Sequence, residues 1–170
     1  MKKLLLAICT VVLFSFAASA QKYAIIDTKY ILNKLPEYSA AEKRLEQLSM
    51  QWQAELDTMQ SQLDKMYKNY DAEQYMLSDD LKKKREAELF NKEKDVRDMQ
   101  KKRFGYEGDL FKERQKLVKP IQDKVYNAVQ KMAVGRGYDF ILDKSEGITV
   151  IFADPKLDKS DELLRELGIK

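Results

Sequence analysis

Residues 36–70 read PEYSAAEKRLEQLSMQWQAELDTMQSQLDKMYKNY. Apolar side chains recur through this stretch at steps of three and four residues, which is the spacing of one face of an α-helix. These residues are Leu45, Leu48, Trp52, Leu56, Met59, Leu63, Met66 and Tyr70. Pro36 is favourable in the first turn of a helix, and the acidic Glu37 follows it. The stretch therefore predicts one long amphipathic helix that begins at Pro36.

A second helical stretch follows the first. Residues 37–104 contain no glycine or proline, and the apolar spacing is first interrupted at residues 75–80, where Ser78 is a favourable N-cap. Helical spacing then resumes and continues to Gly135 and Gly137, which predict its end. Helices joined by so short a break fold back on each other, so residues equally far from Ser78 should face one another in an antiparallel hairpin.

This register places Trp52 opposite Phe104 and Gly105, with Gly108 about one turn away. Both glycines are poor helix formers, so a reason for their presence is needed. Two interpretations are open. Either the glycines make room for the indole ring, or they form a simple flexible kink.

The composition fits long, charged helices. Of the 170 residues 35% are charged, and there are only six glycines and three prolines, which is too few for an all-β protein with many turns. Residues 37–80 carry 4 basic and 10 acidic side chains, whereas residues 81–136 carry 17 basic and 9 acidic ones. The first helix is therefore acidic and the second is basic, so their mean fields attract each other.

The N-terminus has the pattern of a secretory signal peptide. Lys2 and Lys3 precede an apolar run that is too short to span a bilayer, and Ala18-Ser19-Ala20 is a small-residue cleavage site. We expect cleavage after Ala20 and export to an oxidising compartment. The only cysteine, Cys9, lies inside this segment, so residues 21–170 contain no thiol.

The remaining segments predict a small β-rich body. Residues 23–27, 138–143 and 148–153 have the composition of strands, the last two joined in a hairpin by residues 144–147, and Ser160 is expected to cap a last short helix. These strands are apolar on both faces and so need cover on both sides, which a body this small does not supply. We therefore expect other copies of the chain to cover them. The predicted interface residues are Ile25, Phe140, Leu142, Val150 and Phe152.

The predicted fold class is α+β. A body formed by residues 21–36 and 120–170 carries a helical hairpin, residues 37–119, with its tip near residue 78.

No enzymatic chemistry is indicated. The chain has no histidine, so a Ser-His-Asp triad and a histidine-ligated metal are excluded, and no nucleotide-binding motif is present. The acidic pair Asp79-Asp80 is explained by its place at a helix start. We expect neither an enzyme nor a cofactor. Residues 21–170 carry 29 basic and 28 acidic side chains, and so small a net charge on an exported chain argues against nucleic acid as a partner.

The hairpin carries the candidate binding residues. The basic cluster formed by residues 82–85 is either a solvated helix face or a site of attraction for anionic lipid head groups or acidic segments of a client protein. Methionine and tyrosine near the tip are typical of adaptable binding surfaces. The predicted client-binding residues are Tyr67, Tyr75, Met76, Lys82, Lys83, Lys84 and Arg85.

Residues 113–143 read ERQKLVKPIQDKVYNAVQKMAVGRGYDFILD. With the signal peptide, the opening YAIID strand and the charged helices, this stretch resembles the Skp/OmpH family of periplasmic chaperones. The resemblance implies a jellyfish-like homotrimer, with a central β-barrel and three helical tentacles around a cavity. It also implies that unfolded outer-membrane proteins are held in that cavity without ATP.

One feature of the family does not carry over. Some members have a proposed lipopolysaccharide site of basic residues, but Gly108 and Asp109 stand where two of those bases are expected. Peripheral contact with anionic lipid or lipopolysaccharide stays open. An alternative function is that of a structural or adaptor coiled coil of the cell envelope, whose hairpin docks one folded partner through a single apolar patch.

Overall fold

The computed structural model describes residues 21–145, 147 and 150–169. The predicted signal peptide, residues 1–20, lies outside the described residues, as do Glu146 of the predicted loop and Ile148 and Thr149 of the last predicted strand. The elements in chain order are strand β1 (Tyr23–Ile26), helices α1 (Thr28–Lys34) and α2 (Pro36–Glu73), a 3₁₀ turn (Gln74–Met76), helices α3 (Asp79–Phe104) and α4 (Asp109–Arg136), strand β2 (Phe140–Asp143), a second 3₁₀ turn (Pro155–Leu157) and helix α5 (Ser160–Glu166).

The chain forms two compact units. The hairpin unit comprises residues 35–123, and the sheet unit comprises residues 21–34 and 124–169. Helix α4 contributes its first part to the hairpin unit and its last part to the sheet unit. None of the described helices combines the length and the apolar character that crossing a bilayer requires.

The antiparallel register of the hairpin unit is confirmed by contacts along its length. The hydroxyl of Tyr70 donates to Glu86 at 2.6 Å, and these residues are equally far from Ser78. The same holds for Trp52 and Phe104, whose rings pack edge to face with centroids 6.4 Å apart. It holds again near the base, where a guanidinium nitrogen of Arg114 lies 3.3 Å from the carboxylate of Glu42.

Helix α2 buries the apolar face that its spacing predicts. Near the tip, buried Leu63 packs with Leu89 and Val96 of α3, and Met59 and Met66 are partly buried against this cluster. Amphipathic packing of this kind, rather than helix propensity, supplies most of the stability of a long helix. The further buried apolar residues of the unit are Leu35, Ala41, Leu45, Trp52, Leu56, Val118 and Ile121.

The second predicted helix is in fact two helices. Helix α3 ends at Phe104 and α4 begins at Asp109. A Cβ atom added at Gly105 would lie 2.3 Å from the carbonyl oxygen of Lys101, and one at Gly108 would lie 2.9 Å from the carbonyl oxygen of Gly105. The atoms nearest to a Cβ at Gly105 thus belong to the backbone of Lys101, so close approach of the backbone requires a glycine there.

The sheet unit contains a two-stranded parallel sheet. Strand β1 pairs with β2 so that Tyr23 lies opposite Phe140 and Ile26 opposite Asp143. The strands at 23–27 and 138–143 are thus confirmed to within a few residues, but the predicted antiparallel hairpin with residues 148–153 is wrong. Within that segment the described residues 150–153 form no strand. Strand β2 instead forms backbone hydrogen bonds with β1, which lies more than a hundred residues away in the sequence.

Strand β1 is covered by its own chain, contrary to expectation. Ala24, Ile25 and Ile26 are at most 4% exposed. Other fully buried residues of the unit are Ile31 of α1, Met132 of α4 and Leu163 of α5. Helices α1 and α5 pack against each other. Ile25 is therefore a core residue of the single chain. Its backbone forms a parallel bridge with Asp158 and accepts a hydrogen bond from the N–H of Lys159, contacts that the sequence alone did not reveal.

Helix α5 begins at Ser160, but this residue is not its cap. Lys159 occupies the cap position. The hydroxyl of Ser160 instead accepts a hydrogen bond of 2.9 Å from the backbone N–H of Asp27, which joins α5 to the end of β1. Gly137 follows the last residue of α4 at a φ of +66°, as the sequence predicts, whereas Gly135, also predicted to end this helix, lies inside it. Gly168 lies just beyond the end of α5 at a φ of +84°.

Candidate functional site

The tip of the hairpin unit presents apolar side chains to water. Helix α2 ends at Glu73, the 3₁₀ turn Gln74–Met76 follows, and Ser78 stands in an extended conformation before α3. Tyr75 is 88% exposed and Met76 is 80% exposed. The turn holds these side chains away from the helix–helix core, so they are free to contact another molecule.

Tyr67, a predicted client-binding residue, also contacts the facing helix. It is only partly exposed, and its hydroxyl donates a hydrogen bond to the carboxylate of Glu93 on the facing helix. This bond raises the pKa of Tyr67 and, together with the bond from Arg97, lowers the pKa of Glu93. Tyr67 therefore joins α2 to α3, and only the remaining part of its ring is available to a partner.

The basic cluster lies on the first turns of α3. Lys83, Lys84 and Arg85 are exposed, and Lys82 is half-buried. Arg85 forms an ion pair of 2.9 Å with Glu88 on the same helix. The three lysines make no hydrogen bond or ion pair with the part of the chain that the structure describes. Their charges are therefore available to an acidic partner.

Several exposed apolar residues of the hairpin unit escaped the sequence analysis. Phe90 and Phe111 are large, apolar and exposed. Each lies directly beside a residue of the apolar stripe, Leu89 and Leu110 respectively. Consecutive helical residues point about 100° apart, so this adjacency was the available signal. Met50 is also exposed, which adds a third apolar side chain outside the core.

The predicted interface residues of the sheet unit are exposed to different degrees. Phe140 is 44% exposed and stacks on the ring of Tyr23, with centroids 5.8 Å apart. Phe152 is 85% exposed. Leu142 and Val150 are half-buried. Large apolar groups left in water at this level mark a surface that another molecule can cover.

The comparisons with known proteins place the chain in a family. The family model described as outer membrane protein (OmpH-like) matches residues 22–167, which is nearly the whole described chain. The chain belongs to the OmpH-like outer membrane protein family. No curated protein compared with this OmpH-like chain matched it.

A solved structure shares the fold of the OmpH-like chain. It is a Caulobacter crescentus protein described as an OmpH-like candidate outer membrane chaperone. The two chains superpose with a TM-score of 0.70 over 89% of this chain and 86% of the other, at 19% sequence identity. At that identity the likeness establishes the fold.

Proposed function

We propose that this chain is an ATP-independent periplasmic holdase, which binds unfolded outer-membrane proteins in a cavity between the helical arms of a homotrimer and prevents their aggregation. The family supports this proposal, since its Caulobacter crescentus relative is described as a candidate outer membrane chaperone. The hairpin of residues 37–119 forms the arm, and residues 21–36 and 120–170 form the body that assembles. Phe140, Phe152 and the half-buried Leu142 and Val150 lie at the interface.

The observation that carries the proposal is the character of the arm. Exposed apolar side chains occur at intervals along a surface that is otherwise charged, from Met50 and Phe111 to Phe90, Tyr75 and Met76 at the tip. An unfolded membrane β-barrel exposes alternating apolar side chains along its whole length. Many weak contacts of mixed character retain such a chain without selecting a sequence, and three arms add avidity.

Charge contributes to the capture of clients. The lysines of residues 82–84, which have no partner among the residues that the structure describes, attract acidic segments of a client, which speeds encounter more than it strengthens the final complex. The same lysines permit peripheral contact with anionic lipid or lipopolysaccharide. Release needs no nucleotide, because insertion of the client into the outer membrane is downhill.

The deciding experiment is the aggregation of an unfolded outer-membrane β-barrel protein diluted from urea, followed by light scattering. The wild-type chain should suppress scattering. A variant in which Lys43 is joined to Lys112 through a short loop removes the distal hairpin in register and should lose this activity while it keeps its oligomeric state. Equal protection by the shortened chain would refute the cavity. Binding of one folded partner at fixed stoichiometry, with no protection, would favour the adaptor function.

A further inference from the structure

The helical arm contains one break on one side only. Helix α2 is continuous from Pro36 to Glu73, whereas the facing chain is interrupted between Phe104 and Asp109. Inside the break the backbone N–H of Gly108 donates to the carbonyl of Gly105 at 2.9 Å. Glu107 adopts a φ of +54°, which is uncommon for a residue with a side chain. The regular helical hydrogen bonds therefore stop at this break. Helix α2, which lies opposite, is continuous and can only curve gently.

The side chain of Arg103 links the three helices that meet at this break. One guanidinium nitrogen lies 2.7 Å from the carboxylate of Asp109, the first residue of α4. The other lies 3.6 Å from Glu55 of α2. The guanidinium carbon lies 4.7 Å from the centroid of the Trp52 ring, also on α2. A single residue at the end of α3 thus contacts both neighbouring helices.

The surroundings of Arg103 make these contacts effective. The side chain is 23% exposed, and Trp52 beneath it is buried. Partial exclusion of water strengthens both the ion pairs and the cation–π contact compared with a fully exposed pair. The Nε atom is buried and has no hydrogen-bond partner among the described residues. The guanidinium is therefore held through its two terminal nitrogens and through the packing of its flat face on the indole ring, while the hydrogen-bonding capacity of Nε is unused.

We propose that residues 105–108 are a joint in the arm and that Arg103 is the latch that holds the joint in one conformation. The bond to Asp109 fixes the angle between α3 and α4, and the contacts with Glu55 and Trp52 fix α3 against α2. Loss of the latch allows α3 to change its angle to α4 at the glycines. The latch is ionic, so it weakens with salt as the Debye length falls. This inference concerns the chain alone and does not depend on the proposed function.

The test measures a distance across the joint. Residues 21–170 contain no cysteine, so the exposed pair Asn91→Cys on α3 and Gln122→Cys on α4 accepts two spin labels on an otherwise intact chain. Labelled chains are diluted with unlabelled ones to suppress distances between copies. Pulsed electron paramagnetic resonance should give a narrow distance distribution for the wild-type background and one at least twofold broader for Arg103→Gln.

Two further variants make the test specific. Asp109→Ala removes the bond across the break, leaves the contacts of Arg103 with α2 in place, and should reproduce most of the broadening. Arg114→Gln is the matched control, because Arg114 also pairs between helices, with Glu42, but does not span the break; its distribution should stay narrow. If Arg103→Gln does not fold by circular dichroism, Asp109→Ala decides. Unchanged distributions for the variants that release the latch, or equal broadening in the control, would overturn the proposal.

Discussion

At the scale of single residues, Gly105 is constrained by close approach and not by its own backbone angles. A Cβ atom there would lie 2.3 Å from the carbonyl oxygen of Lys101, which is backbone and cannot move aside as a flexible side chain would. We expect Gly105→Ala to lower the free energy of unfolding by about 1–3 kcal/mol, as measured by urea denaturation.

Gly135 provides the matched control. It lies in α4, and a Cβ atom added there meets nothing within 4 Å. Gly135→Ala should raise the free energy of unfolding by about 0.5–1 kcal/mol, because alanine is the better helix former. Equal effects of the two substitutions would show that the contact with Lys101 is not what constrains Gly105.

The free energy of unfolding should depend on pH through the carboxyl of Asp143. Burial would raise the pKa of its carboxyl, but hydrogen bonds from the hydroxyl and backbone N–H of Thr28 and from Ser145 outweigh burial and hold the pKa below the ordinary value of 3.8. A carboxyl whose pKa is lowered by folding stabilises the native state above its unfolded pKa. That contribution is lost as pH falls through the folded pKa.

The variant Asp143→Asn keeps an acceptor for the two backbone N–H groups but loses the charge. It should be less stable than wild type by about 1–2 kcal/mol at pH 7. Between about pH 5 and pH 2.5 its unfolding free energy should fall less steeply than that of wild type. Urea unfolding at three pH values measures this. The exposed Asp95→Asn is the control, and a slope for Asp143→Asn as steep as wild type would contradict the prediction.

At the scale of elements, the spacing of apolar residues predicted those helices and contacts that form between neighbouring segments of the sequence. Helix α2 and the register about Ser78 followed from apolar spacing, since each helix buries one face against its sequence neighbour. The pairing of β2 did not follow, because it joins Phe140 to Tyr23 across more than a hundred residues. Two short apolar segments close together in sequence predicted a hairpin, and nothing local distinguishes that from a parallel pair. For the same reason, the cover over Ile25 was not foreseen.

Of the candidate site, too, the sequence predicts some features and not others. Tyr75 and Met76 are exposed as expected, because a turn between two helices leaves little core for its side chains. Tyr67 lies on the helix itself, where its reach across to Glu93 depends on the facing helix. Single-sequence spacing places a side chain on a face of a helix but does not name its partner on the other element.

The basic cluster at the start of helix α3 should affect how fast an unfolded client protein binds. Changing Lys82, Lys83, Lys84 and Arg85 together to Gln removes charges of which three have no intramolecular partner among the described residues. We expect association with an unfolded outer-membrane protein to slow roughly two- to fivefold at low ionic strength, with little change in dissociation. The difference should shrink at higher salt, where charges are screened beyond about 8–10 Å. Stopped-flow fluorescence at two salt concentrations measures both rates.

The control for that variant removes the same charge from the sheet unit. It changes four exposed lysines to Gln, at Lys29, Lys34, Lys131 and Lys156. If both quadruple variants associate equally slowly, overall charge governs capture and the position of the cluster does not. If neither differs from wild type, the cluster is a solvated helix face.

At the scale of the whole molecule, the proposal places assembly on the sheet unit. Strand β1 is buried within the single chain, so the apolar groups proposed to drive assembly are exposed ones, including Phe152 and the ring pair of Phe140 and Tyr23. We expect a trimer at micromolar concentration in analytical ultracentrifugation. Phe152→Asp should give monomers, because the free-energy cost of burying an unpaired charge in the interface would exceed the favourable free energy of assembly. The control Phe90→Asp alters an exposed residue of α3 and should stay trimeric, because the proposal assigns no part of the assembly surface to the hairpin. A wild-type monomer, or a trimer that survives Phe152→Asp, would place the assembly surface elsewhere.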